Sequence, residues 1–168
     1  MKDDLFSLYA YNAWANARVI DSLRPLTEEQ YTKEMGGGWP SIRATWVHIA
    51  GATDAWAKRF SGTDATTLPK ESEVPRLEDA IALAEDAQLR LEAFLATLTP
   101  ERIAGSFKWK NLKGEEKTAP FWAILRHVVN HASYHRGQLS SMVKRVGGTP
   151  KATDMVLWGI EVPGRVNT

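Results

Sequence analysis

The sequence predicts an all-α fold, a bundle of four long helices with a short β-hairpin before the last of them. Three observations carry this expectation. Apolar residues recur at helical spacing in four long stretches. Those stretches are separated by breakers: Pro25, the run Gly36-Gly37-Gly38-Trp39-Pro40, a Thr/Ser/Gly/Pro-rich segment at 61–75, and Pro100. Between Ser106 and Thr118 the period changes from helical to alternating.

The first helix is expected over Asp3 to Leu23, with Leu5, Leu8, Tyr9, Asn12, Ala13, Asn16 and Ile20 near one face. Pro25 and Thr27 interrupt it. Ser41 is the expected N-cap of a second helix running to about Phe60. The third spans Leu77 to Leu98, with Leu77, Ile81, Ala84, Gln88, Leu91 and Leu95 in register, and Pro100 ends it. In the hairpin Phe107, Trp109 and Asn111 alternate with Lys108, Lys110 and Leu112, and Lys113-Gly114 marks the turn. The longest helix runs from Pro120, favourable at a first helical position, to about Val146, where Gly147-Gly148 closes it ahead of Pro150. Asp154 to Trp158 forms one more short turn. Residues 1–160 therefore read as one domain and 161–168 as a tail.

Composition excludes several function classes. At 168 residues the chain is long enough for one real core, and its 43% hydrophobic and 24% charged content is ordinary for a soluble protein. A net charge of +1 leaves no basic footprint for nucleic acid. No uncharged apolar run approaches a membrane span, and Met1-Lys2-Asp3-Asp4 lacks a secretory pattern, so the expected location is the cytoplasm. There are no cysteines, which removes disulfides, thiolate metal sites and a thiol nucleophile borne by the chain. Any thiol chemistry must use a thiol that arrives with a cosubstrate. The seven tryptophans are expected in the core or as pocket walls.

Three of the four histidines, His127, His131 and His135, stand at four-residue intervals. On a helix such neighbours lie roughly 40° apart and about 6 Å along the axis, so two can pinch one ion. The outer pair is about 12 Å apart, so all three cannot easily do so. A third ligand must come from another element, and the remaining histidine is His48. His131 and His135 are the preferred pair. His127 is left as a substitute for His135, a group behind the ligands, or a hydrogen-bonded core residue. Gly51 follows His48 by three residues and Gly137 follows His135 by two. Each costs roughly 1 kcal/mol inside a helix, which makes sense if the two helices approach closely there.

Asn130, Tyr134 and Gln138 form a polar row beside the histidines, suited to lining a pocket or orienting ligands. From Thr118 to Thr153 there is no acid but five cations: Arg126, Arg136, Lys144, Arg145 and Lys151. A pocket beside this helix would favour an anion, although Lys144 and Arg145 read more simply as partners for Glu85, Asp86 or Glu92. Arg136 and Tyr134 are candidate catalytic residues; Arg136, Asn130 and Gln138 are candidate cofactor contacts. Asp54 is the one candidate acid in the helix of His48.

The string Asn130-His131-x-x-Tyr134-His135-Arg136-Gly137-Gln138 resembles the signature of the DinB family of metal-dependent proteins. Tyr11-Asn12-x-Trp14-Ala15-Asn16 is similar to that family's opening, as are Val47-His48-Ile49-Ala50-Gly51 with Asp54 and Trp56, and Asn111-x-x-Gly114-Glu115. The likeness extends to about Trp158. It implies an up-down-down-up bundle, often dimeric, and one divalent metal on three histidines mapping to His48, His131 and His135. It also implies relatives that use low-molecular-weight thiols in transfer or isomerisation, and a family name that carries no DNA binding. All-imidazole ligation suits several metals, with zinc or nickel first. The expected function is a metal-dependent transferase that activates a small thiol for attack on an electrophile. The alternatives are a non-enzymatic metal-binding or stress-response protein, and a metal-dependent hydrolase.

Overall fold

Helix occupies most of residues 2–162, the part of the chain described by the computed structural model. In chain order the elements are α1 (Lys2–Leu23), α2 (Glu28–Thr32), α3 (Ile42–Phe60), α4 (Leu77–Ala96), α5 (Pro100–Ala104), β1 (Ser106–Lys110), β2 (Glu116–Pro120), α6 (Phe121–Arg145) and α7 (Met155–Glu161). The four long helices are those expected from periodicity. Of the expected tail, residues 163–168 lie outside the described residues.

Local chemistry explains the boundaries. The Ser41 hydroxyl accepts the Ala44 N–H at 2.9 Å and starts α3; such a cap contributes about 1 kcal/mol. Thr27 and Gln30 form a reciprocal capping box, which makes α2 a real turn of helix where the sequence reading saw only an interruption. Pro100 ends α4 as expected but also opens α5, because Thr99 caps that helix and proline suits its first turn. Pro120 is not the first residue of α6. It closes β2, paired with Ser106 across the antiparallel ladder, and the helix starts at Phe121. Gly147, at φ 82°, closes α6 in the left-handed conformation that favours glycine.

The long helices pack in a ring of neighbours: α3 against α4 and α6, and α1 against α6 and α4. Two apolar clusters fill the interior. One joins Leu5, Tyr9, Trp56, Phe60, Leu95, Phe107, Phe121 and Leu125 near the hairpin. The other joins Val19, Leu23, Ile42, Trp46, Ile81, Leu139 and Val143. Along α6 the sequence passes from the first cluster at Val128 and Val129 to the second at Ala132, Leu139 and Val143. His131, His135 and Arg136 are interspersed with these apolar positions where one cluster gives way to the other.

The two glycines do not mediate helix approach. A Cβ on Gly51 would meet the Pro69 ring at 2.5 Å, so Gly51 admits the loop that follows α3. A Cβ on Gly137 would meet no atom within 4 Å. The expected pairing of Lys144 and Arg145 with acids of α4 is also absent. Asp86 is taken by Arg90 within α4, and Arg145 donates to the Met35 carbonyl at 3.4 Å. No described helix is long and apolar enough to cross a membrane.

Candidate metal centre

Packing of α3 on α6 brings His48 to His131 and His135. The Nε2 atoms of His48 and His131 lie 3.1 Å apart. Ring centroids are 4.9 Å (His48–His131), 4.6 Å (His48–His135) and 4.5 Å (His131–His135) apart. One nitrogen from each ring lies within 4.8 Å of the other two, close enough to hold a metal ion. Two nitrogens on one zinc ion, each about 2.0–2.1 Å from it, would stand about 3.3 Å apart at the tetrahedral angle. The observed 3.1 Å separation fits one shared ion.

The electrostatics favour the neutral rings that metal binding needs. Burial, then the neighbouring His131 and His135, holds His48 down at about 4. Burial, then His135 and His127, holds His131 down at about 4. Proximity of like groups thus disfavours protonation at the two nitrogens that face each other.

His135 is 6% exposed, and its Nδ1 lies 2.7 Å from the Gln138 Oε1. With Oε1 accepting from Nδ1–H, the Nε2 lone pair is left free for an ion, which is the usual arrangement behind a ligating histidine. Gln138 is therefore an orienting residue. Helical spacing alone does not reveal this, because the polar row offers Asn130 and Tyr134 as equals. Both of those are exposed, Tyr134 at 66%, with its ring edge-on to His135 at 5.1 Å. His127 is neither a core residue nor part of the triad. It is exposed and packs edge-on against Trp56 at 5.7 Å.

Arg136 faces the other way. It is 2% exposed, donates to Asn12 Oδ1 at 2.6 Å, Asn16 Oδ1 at 2.9 Å and Ser133 Oγ at 2.7 Å, and sits over the Tyr11 ring at 5.6 Å. The residues Tyr11, Asn12 and Asn16 of the opening motif are thus the socket of this arginine, which pins α1 to α6. Burial pushes the guanidinium below its ordinary value. Asp54 is buried in ion pairs with Lys58 at 2.7 Å and with Arg90, tying α3 to α4. Of the other cations around α6, Arg126 pairs with Asp4 and Lys151 with Asp21.

Trp39 is the neighbour that sequence reasoning missed. Its ring stacks on His48 with centroids 3.8 Å apart and planes 20° from parallel, and lies edge-on to His135 at 6.4 Å. The only sequence signal was its place among breaker residues.

The chain is 31% identical over 163 residues to Protein DinB of Bacillus subtilis (strain 168), covering 94% of this chain and 95% of that protein. The family model described as the DinB family matches residues 1–160, and the chain belongs to that family.

Proposed function

We propose that this protein is a metal-dependent transferase that activates a low-molecular-weight thiol for attack on an electrophile. The observation that carries the reading is the convergence of His48, His131 and His135 from two helices with no carboxylate among them. Three neutral imidazoles are the donor set of a catalytic ion that keeps a position open, with zinc or nickel as the metal. When bound, such an ion supplies the positive charge that lowers the pKa of an incoming thiol.

The chain's own contribution is positional. His48 comes from α3 and His131 and His135 from α6, so the relation of the two helices sets the site. Gln138 holds the His135 tautomer. The exposed Tyr134, edge-on to His135, stands at the site's solvent side, available to a substrate. In the transfer itself the thiol proton leaves to solvent, a sulfur–carbon bond forms, and the leaving group departs with the electrons of the broken bond. The chain has no cysteine to compete for the ion or the electrophile.

Metal-assisted hydrolysis is disfavoured because Asp54, its candidate acid or base, is committed to Lys58 and Arg90. The reading further places the protein in the cytoplasm as a single domain over 1–160. It adopts the up-down-down-up bundle order and works as a homodimer with small-molecule partners and no nucleic acid. The test is a screen of metal-loaded protein with common small thiols and an alkylating or epoxide electrophile. Conjugation lost in His131→Ala supports the reading; no conjugation with any thiol overturns it.

A further inference from the structure

A ligating imidazole ordinarily donates its second N–H to a carboxylate, a carbonyl or water, and that hydrogen bond fixes the plane of the ring. His135 has such a partner in Gln138. His48 does not. Its Nε2 faces His131, and its Nδ1 is shut off from solvent with no hydrogen-bond partner among the described residues. Metal binding at Nε2 puts a proton on this Nδ1, so the ring must be held by something other than a hydrogen bond.

We infer that Trp39 is the positioning residue for His48, fixing its ring by face-to-face stacking in place of the missing acceptor. This rests on the metal-centre reading above. The stacked distance of 3.8 Å and tilt of 20° lay the indole face against the imidazole, and tipping the His48 ring out of this plane would break that contact. The loop holding Trp39 is itself fixed. Gly36 and Gly37 take φ values of 79° and 93°, which turn the chain sharply. The Met35 N–H then donates to the Pro40 carbonyl at 2.6 Å, closing the loop. Arg145 from the end of α6 reaches the Met35 carbonyl, so the loop is anchored to the helix that carries His131 and His135. Trp39 is also 37% exposed. It therefore spans from solvent to the ligand ring, and its replacement leaves the two apolar clusters untouched.

The test uses the full chain without an affinity tag. Zinc affinity is measured by competition with a chromophoric chelator for the wild type, Trp39→Ala and Trp39→Phe. The visible ligand-field spectrum of each cobalt(II) form and the unfolding temperature of each metal-free form are recorded alongside. Trp39→Ala is expected to lower zinc affinity by about 10-fold or more, the scale of losing an orienting partner, and to alter the cobalt spectrum. Trp39→Phe, which keeps an aromatic face, is expected to restore most of both, and the metal-free unfolding temperatures are expected to agree. Wild-type affinity and spectrum in Trp39→Ala would overturn the inference while leaving the metal centre standing. So would an affinity loss that merely follows a lowered unfolding temperature, or one that Trp39→Phe does not rescue. A wild-type chain that takes up neither metal overturns both readings.

Discussion

The Nε2 atoms of His48 and His131, 83 residues apart in sequence, meet at 3.1 Å between α3 and α6. Neither ring has a carboxylate beside it, and both are held down at about 4. The fold thus brings two neutral imidazole nitrogens to hydrogen-bond distance, where one Nε2–H can donate to the other ring, and a shared cation would instead take the lone pair of both.

Removing any one of the three rings should therefore cost more metal affinity than removing a supporting group. His48→Ala, His131→Ala and His135→Ala are each expected to lose more than about 100-fold in zinc affinity, the upper end for supporting residues. Isothermal titration checks this. His127→Ala is expected to bind like the wild type, because His127 packs on Trp56 outside the triad.

Gln138 acts on the metal through His135. Gln138→Leu removes the Nδ1–H acceptor and is expected to lower affinity by about 10- to 100-fold, whereas Gln138→Glu, which still accepts, retains it. Equal affinities for all three proteins would show that the 2.7 Å contact has no orienting role.

Arg136 should matter to the fold and not to the metal. Arg136→Met leaves the buried Asn12 oxygen and the half-buried Asn16 oxygen without their donor, which costs about 2–4 kcal/mol from unpaired polar groups and lost packing. Urea unfolding measures this. Metal stoichiometry is expected to stay at one ion per chain. A variant as stable as the wild type that no longer binds a thiol would restore Arg136 as a cofactor contact.

Acidification should destabilise the metal-free protein through the same rings. In the unfolded chain histidine titrates near 6.5, while His48 and His131 are held at about 4 in the fold. Between those values the unfolded state binds more protons, so stability rises with pH across the window and is lost as pH falls from 6.5 toward 4. Urea midpoints at pH 7, 6 and 5 test this against the double variant His48→Gln/His131→Gln. The fall between pH 7 and 5 is expected to be shallower in the variant; parallel falls would contradict it.

The triad was legible in the sequence because helical spacing converts His131 and His135 into one face, and because the chain has only one histidine, His48, outside that helix to complete the set. The four long helices were legible for the same reason of periodicity. What the sequence hid depends on contacts between distant segments. Arg136 neighbours a ligand in sequence, yet its side chain runs into the socket of Asn12 and Asn16 on α1. Gly51 signals a close approach, but of Pro69 and not of α6. Trp39 follows three glycines, and nothing local says that its ring will lie on His48. The caps at Thr27 and Thr99 were local signals that proline and short length masked.

The claim that an ion is held by imidazoles from two helices with one position open is tested most directly by X-ray absorption of the zinc-loaded, tag-free protein before and after adding a small thiol. The predicted result is three imidazole nitrogens plus a light atom, with a sulfur scatterer appearing at about 2.3 Å when thiol is added. A spectrum of four protein ligands that does not change with thiol would contradict it.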